Sequence, residues 1–142
     1  MSNKLTFILA GSLSVFFNSA IAANIADIQL CGPQYNEQQS KQTRYTDHNN
    51  GSVSDKRTGL TWQVCALGQQ WQKDNTCEST PGLYHWQEAM LLAKENTASD
   101  SDNWRLPTIK ELSSIVEYQC NNPAINQAVF PNAGKNMHWS ST

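Results

Sequence analysis

Apolar and polar positions change their period twice along this chain, and the changes divide it into predicted elements. From Arg44 to Asp47 and from Ser52 to Asp55 short runs flank His48 Asn49 Asn50 Gly51, a pattern that predicts a β-hairpin with a type I′ turn at Asn50 and Gly51. A second turn at Asp55 to Gly59 leads into Leu60, Trp62 and Val64, which alternate with polar residues as in a half-buried strand. The spacing lengthens farther on. Trp86, Ala89, Met90 and Ala93 fall on one stripe opposite Glu88, Lys94 and Glu95, which predicts a helix from about Tyr84 to Asn96 with the stripe in the core.

The segment Trp104 to Ser113 carries the densest local instructions. Pro107 lacks an N–H, has its φ fixed near the helical value and holds Leu106 extended. Thr108 and Glu111 have the spacing of a capping box, so a helix starts at Ile109. Leu106, Ile109, Leu112, Ile115 and Val116 give it an apolar face. Asn121 Asn122 Pro123 ends that pattern, and Pro131 to Gly134 is a further loop.

Other segments lack such periodicity. Gly68 to Pro81 reads as a polar loop around Trp71, which either packs as a lid or forms a binding edge. Asn24 to Lys41 is polar and weakly periodic, and it reads as an arm that only Cys31 holds down. The domain division is thus a leader over 1–22, an arm over 23–43 and one domain over 44–142. The leader is read from Lys4, the apolar run Leu5 to Phe17 and the Ala20 Ile21 Ala22 cleavage signal of an exported protein.

Without the leader, nine Lys and Arg face twelve Asp and Glu, a net charge of −3. Bulk charge therefore argues against a nucleic-acid partner. Four cysteines in an oxidising compartment predict two disulfides, and Cys65 with Cys77 and Cys31 with Cys120 are favoured among three connectivities. Zinc is the weaker reading, because the chain has no C-x-x-C pair and its three histidines are scattered. Asp100 and Asp102 stand either in a calcium-type oxygen loop or in a solvated connector. No Gly and Glu follow at the positions a calcium loop needs, so no cofactor is assigned.

Candidate chemistry is sparse. His85 with Glu88, and His138 with Ser140 and Ser141, are the nearest approaches to a catalytic group, and none lies in a nucleophile elbow or metal motif. Capping or exposed roles describe them better, so no catalytic residue is assigned. Arg105 can grip a carboxylate or sulfate through its planar fork, or pair with Glu111 or Asp55 as part of the packing. Trp71, Arg105, Asp100 and Asp102 are the candidate binding residues.

Taken in order, Arg44 to Asp47, Gly51 to Asp55, Thr58 to Trp62, Trp86 to Ala89, Trp104 to Thr108 with Glu111 and Leu112, Pro123 to Asn126, Phe130 Pro131 and Trp139 to Thr142 resemble the Lcl C-terminal domain family. The resemblance implies an α+β, C-type-lectin-like fold with two helices on short antiparallel strands and hairpins. It also implies an exported bacterial protein, periplasmic, at the cell surface or secreted. In the collagen-like adhesin for which the family is named, the domain is implicated in trimerisation and in binding sulfated glycosaminoglycans. Relatives continue past Trp139 Ser140 Ser141 into further strands, which implies a truncated domain here. The acidic balance lacks the basic excess that a polysulfate needs.

The expectation is a recognition or adhesion module binding a glycan or surface protein through its loops. A structural or oligomerising domain is the alternative, with homo-oligomers as its product. A sulfatase-modifying-oxidase-like enzyme ranks below both, since such enzymes use reactive cysteines near the C-terminus and the last cysteine here is Cys120.

Overall fold

A computed structural model describes residues 29–99, 104–131, 133 and 137–142. The leader, Asp100 and Asp102 lie outside the described residues. The elements follow in the order β1 (Leu30–Cys31), α1 (Glu37–Arg44), β2 (Tyr45–Asp47), β3 (Ser52–Asp55), β4 (Thr61–Gln63), β5 (Gln70–Trp71), β6 (Cys77–Glu78), α2 (Trp86–Ser99), α3 (Ile109–Ser114) and β7 (Cys120–Asn121). Three small antiparallel sheets form among the described residues, β1–β7, β2–β3–β4 and β5–β6. With three helices among the described residues the chain is mixed α and β, one helix richer than the sequence pattern predicts.

The hairpin forms where it is predicted, with Thr46 opposite Ser54 and Asp47 opposite Val53. Its turn differs. Positive φ occurs at Asn49 (55°) and Gly51 (85°), not at both Asn50 and Gly51, so the type I′ turn gives way to a longer loop. Short polar side chains cause this by offering the backbone local partners: Asp47 Oδ1 accepts from Asn49 N–H at 2.9 Å, and Asn50 Oδ1 from Ser52 N–H at 3.1 Å. Gly51 is needed twice over, since a Cβ there would meet the Trp71 ring at 3.1 Å. β4 then pairs with β3, Trp62 opposite Val53, and the predicted alternation appears as half-buried Leu60 and Trp62, buried Val64 and exposed Thr61 and Gln63.

The predicted loop Gly68 to Pro81 contains the β5–β6 hairpin, with Trp71 opposite Cys77. Asn75 at φ 64° and the Asp74 carboxylate, which accepts from the Thr76 N–H and hydroxyl, close its tip. The Cys65–Cys77 disulfide ties it to the end of β4, and Cys31–Cys120 joins β1 to β7. Trp71 is half-buried against the core, and its Nε1–H donates to Asn75 Oδ1 at 3.3 Å.

The polar segment expected as an arm held only by Cys31 instead forms α1 and docks. Asn36 caps α1 by accepting from Gln39 N–H at 2.9 Å; Glu37 lies in the first turn, and Lys41 and Arg44 in the last, each matched to the helix dipole. Buried Asn126 then donates from Nδ2 to Glu37 O at 3.0 Å, and Gln29 Nε2–H reaches the carbonyls of Pro123 and Ile125. No residue of α1 is buried, so the helix leaves no apolar stripe in the sequence.

α2 starts at Trp86 and runs to Ser99. Its predicted core stripe is only partly inward: Ala89 is buried and Met90 and Ala93 are half-buried, while Trp86 keeps 44% exposure. α3 begins at Ile109 as predicted, with Thr108 and Glu111 forming the capping box. It ends early, because Ile115 N–H bonds back to Leu112 and Ser113 carbonyls and Val116 bridges to Ile125. Ile109, expected in the core, is 53% exposed. The core gathers Tyr45, Val53, Val64, Ile115, Val129 and Phe130, with Tyr45 set edge-on to Phe130 at 5.8 Å between centroids.

One ion pair joins the pieces around this core. Asp55 is fully buried and receives two hydrogen bonds from Arg44, Nε to Oδ1 at 3.1 Å and Nη2 to Oδ2 at 2.7 Å. Arg44 also donates to Ser114 O at 2.6 Å and to Glu117 at 3.2 Å. Burial pushes the Asp55 carboxyl up, but hydrogen bonds from Arg44 and Arg57 N–H outweigh it and hold the group below its ordinary value. Asp55→Ala leaves the guanidinium without its main partner and is expected to cost about 3–5 kcal/mol. Urea unfolding checks this, and a loss under about 1 kcal/mol would show the pair to be dispensable.

Candidate functional site

The strand-to-helix joint at Trp104 to Ser113 forms one wall of the main cleft. Arg105 pairs with Glu111 through both fork nitrogens, at 2.8 and 2.6 Å. Of the two partners weighed from the sequence, Glu111 is the one it takes. The same carboxylate accepts from Thr108 N–H at 2.8 Å and the Thr108 hydroxyl at 3.1 Å, while Thr108 Oγ1 accepts from Glu111 N–H at 3.3 Å. Hydrogen bonds from Arg105, then from Thr108, pull the Glu111 carboxyl down to about 2.

The residues Trp139 to Thr142 dock on this joint. Ser141 N–H donates to Pro107 O at 2.8 Å, Trp139 Nε1–H to Tyr84 O at 2.7 Å, and Trp86 Nε1–H to Ser140 O at 2.8 Å. Both indoles stay about half exposed, 44% for Trp86 and 50% for Trp139, with their ring planes tethered by those N–H bonds.

Between the joint and the three-stranded sheet lies a cleft of about 1050 Å³. Its floor and walls include Leu60, Trp62, Val64, Leu112, Ile125 and Phe130; His48, Asn50, Arg105 and His138 add polar groups. Every residue from Gly59 to Leu67 lines it, whichever face of β4 its side chain takes, so the cleft runs along the strand's edge. β4 is the outer strand of its sheet. Leu60 O accepts from Asp55 N–H and Val64 N–H donates to Gly51 O, so even-numbered residues turn their backbone toward β3. Thr61 and Gln63 turn theirs away, and these backbone groups have no hydrogen-bond partner among the described residues.

Of the candidate binding residues, Arg105 lies on the cleft, already engaged with Glu111. Trp71 packs at the β5–β6 hairpin away from the cleft lining, and Asp100 and Asp102 lie outside the described residues. His85 meets Glu88 only through its backbone N–H, at 2.9 Å. His138 Nε2 lies 3.2 Å from Ala133 O, while Ser140 Oγ–H donates to Thr142 O and Ser141 Oγ–H to Pro107 O, so neither serine is bonded to the histidine. Among the described residues no group of three or more His, Cys, Asp or Glu could hold a metal ion. No described helix is long and apolar enough to cross a membrane. The β4 edge is the feature the sequence reading missed, since the alternation marks a strand without telling which side stays unpaired.

The described residues form three small antiparallel sheets and three helices with two disulfides and a capped strand-to-helix joint, the make-up of a small mixed α and β module. The family model described as Lcl C-terminal domain matches residues 51–142, and the chain belongs to that family. No curated protein and no solved structure is found to match it.

The lowered Glu111 carboxyl makes the joint acid-sensitive in a definite direction. A depressed carboxyl adds stability that is complete above its ordinary value of 4.5 and is lost as pH falls toward 2. Glu111→Gln is therefore expected to lower the melting temperature at pH 7 and to flatten its decline between pH 5 and 2. A parallel acid profile for the variant and the parent would remove Glu111 from this role.

Proposed function

We propose that the chain is an exported recognition or adhesion module without catalytic residues, built on a C-type-lectin-like scaffold. It holds an extended segment of a surface protein along the edge of β4. The observation that carries this reading is the pair of outward-facing backbones at Thr61 and Gln63, set beside an apolar cleft. Strand addition uses such an edge: main-chain hydrogen bonds supply affinity, and alternate side chains of the ligand enter the cleft. Its volume is at the upper end of the range typical for ligand sites, about 300–1000 Å³. Two disulfides fit an oxidising, extracytoplasmic setting.

A glycan reading draws on the half-exposed indoles of Trp86 and Trp139, and an oligomerisation reading on exposed Leu83, Tyr118 and Met137. The test separates all three. The full chain is titrated with a synthetic peptide of alternating valine and threonine and with a sulfated heparin-derived oligosaccharide, and its mass in solution is followed with concentration. Thr61→Pro removes one outward N–H without touching the β3 ladder, which an edge strand tolerates. Peptide binding weakened about tenfold by Thr61→Pro is expected, the effect of losing an edge donor and its fit. Binding of the oligosaccharide alone, or self-association with no peptide binding, would overturn the reading.

A further inference from the structure

The loop between β2 and β3, on the rim of the cleft, holds a reactive pair. Asn50 is exposed, and its side-chain carbonyl Oδ1 receives two hydrogen bonds, from Ser52 N–H at 3.1 Å and Ser52 Oγ–H at 2.7 Å. The next residue is Gly51, whose amide N–H has no hydrogen-bond partner among the described residues and whose lack of a Cβ leaves that nitrogen approachable. Asn75, at the tip of the β5–β6 hairpin, is followed by β-branched Thr76, and its amide is engaged with Trp71 and the Ala128 carbonyl. Asn49 is followed by Asn50, whose Cβ crowds the approach.

We infer that Asn50 is a self-modification site, converted to aspartate and isoaspartate through a succinimide formed with the Gly51 nitrogen. The Gly51 nitrogen attacks Asn50 Cγ and loses its proton to hydroxide, and a C–N bond forms there. Negative charge then gathers on Oδ1, where the two Ser52 donors already point, as donors do in an oxyanion hole. The tetrahedral centre collapses with cleavage of the Cγ–Nδ2 bond, and the amide leaves as ammonia after taking a proton from water. Water next opens the five-membered ring at either carbonyl. One opening leaves an ordinary aspartate in place of Asn50, and its carboxylate can keep both Ser52 donors and strengthens them with its charge. The other gives isoaspartate, with an extra methylene in the backbone of the hairpin loop. No oxidant, metal or enzyme is required, since water and hydroxide supply every co-reactant.

Either product places a negative charge on the cleft rim, which His48 also lines. The experiment follows the native, disulfide-bonded full chain at pH 8 over weeks. Tryptic peptides carry the loop as Tyr45 to Lys56, and fragmentation within that peptide separates Asn49 from Asn50. Asn50 is expected to be the first asparagine to gain the mass of NH2 replaced by OH, with isoaspartate among the products. Ser52→Ala keeps the Ser52 N–H but removes the hydroxyl, and is expected to slow the loss about fivefold, the rate equivalent of one ordinary hydrogen bond. Asn50→Gln, which would have to close a six-membered ring, is expected to abolish the gain in this peptide while leaving the melting temperature near that of the parent. A different asparagine reacting first, no reaction at Asn50, or an unchanged rate in a folded Ser52→Ala protein would overturn the assignment.

Discussion

The pairing of Arg44 with Asp55 is the constraint on which the rest of the architecture rests. A carboxylate with no exposure is tolerable only when its lone pairs are met by strong donors, and Asp55 has two from the Arg44 fork and a third from Arg57 N–H at 2.9 Å. The backbone at Asp55 is equally committed: its carbonyl accepts from Thr58 and Gly59, and its N–H donates to Leu60 O. That set of bonds folds the chain back so that β4 returns beside β3. Arg44 meanwhile spans from the end of α1 to Ser114 O at the end of α3 and to Glu117. A planar fork with five donors can hold three chain segments at once, and a lysine ammonium lacks that geometry. Burial of Tyr45 beside it, with the Arg44 guanidinium 4.8 Å above its ring, seals the pair from solvent and pushes the phenol up.

What could be read from the sequence is what local chemistry decides. Thr108 and Glu111 set the start of α3 because a capping box involves only residues three apart, and Leu60, Trp62 and Val64 betray β4 because a half-buried strand must alternate. α1 escaped for the opposite reason. It buries none of its residues and is held by Asn36, by charges matched to its dipole and by Asn126 from 89 residues away, none of which leaves a periodic signal. The β5–β6 hairpin around Trp71 escaped because its strands are only two residues long, too short for any period to show. The loop at residues 48–51 carried the correct turn residues, yet Asp47 and Asn50 side chains competed for backbone N–H groups and shifted the positive φ from Asn50 to Asn49.

The candidate site divides in the same way. Arg105 stood out in the sequence because of its neighbours, and the structure accounts for it through a single carboxylate that serves two masters. Glu111 Oε2 takes the Thr108 N–H and hydroxyl and one Arg105 nitrogen, while Oε1 takes the other. Arg105 is thereby drawn into the helix start, and its charge is balanced before any ligand arrives. The free edge of β4 is non-local by nature, since the outer position of a strand depends on which elements the whole chain brings beside it.

The cleft therefore owes its shape to two distant locks acting on opposite walls. On the sheet side, Arg44 and Asp55 hold the turn that returns β4 beside β3, with the Thr61 and Gln63 backbones turned away from β3 along the cleft. On the helix side, the Glu111 carboxylate fixes the joint, and the joint's Pro107 carbonyl receives Ser141 N–H, which seats Trp139 at the rim. The two locks differ in how strongly salt screens them. Asp55 is enclosed and backed by a permanent guanidinium within the core, whereas the Arg105–Glu111 pair lies nearer the surface, with the arginine side chain 59% exposed, where salt and solvent weaken it. The helix wall is thus held by an exposed pair and the sheet wall by an enclosed one.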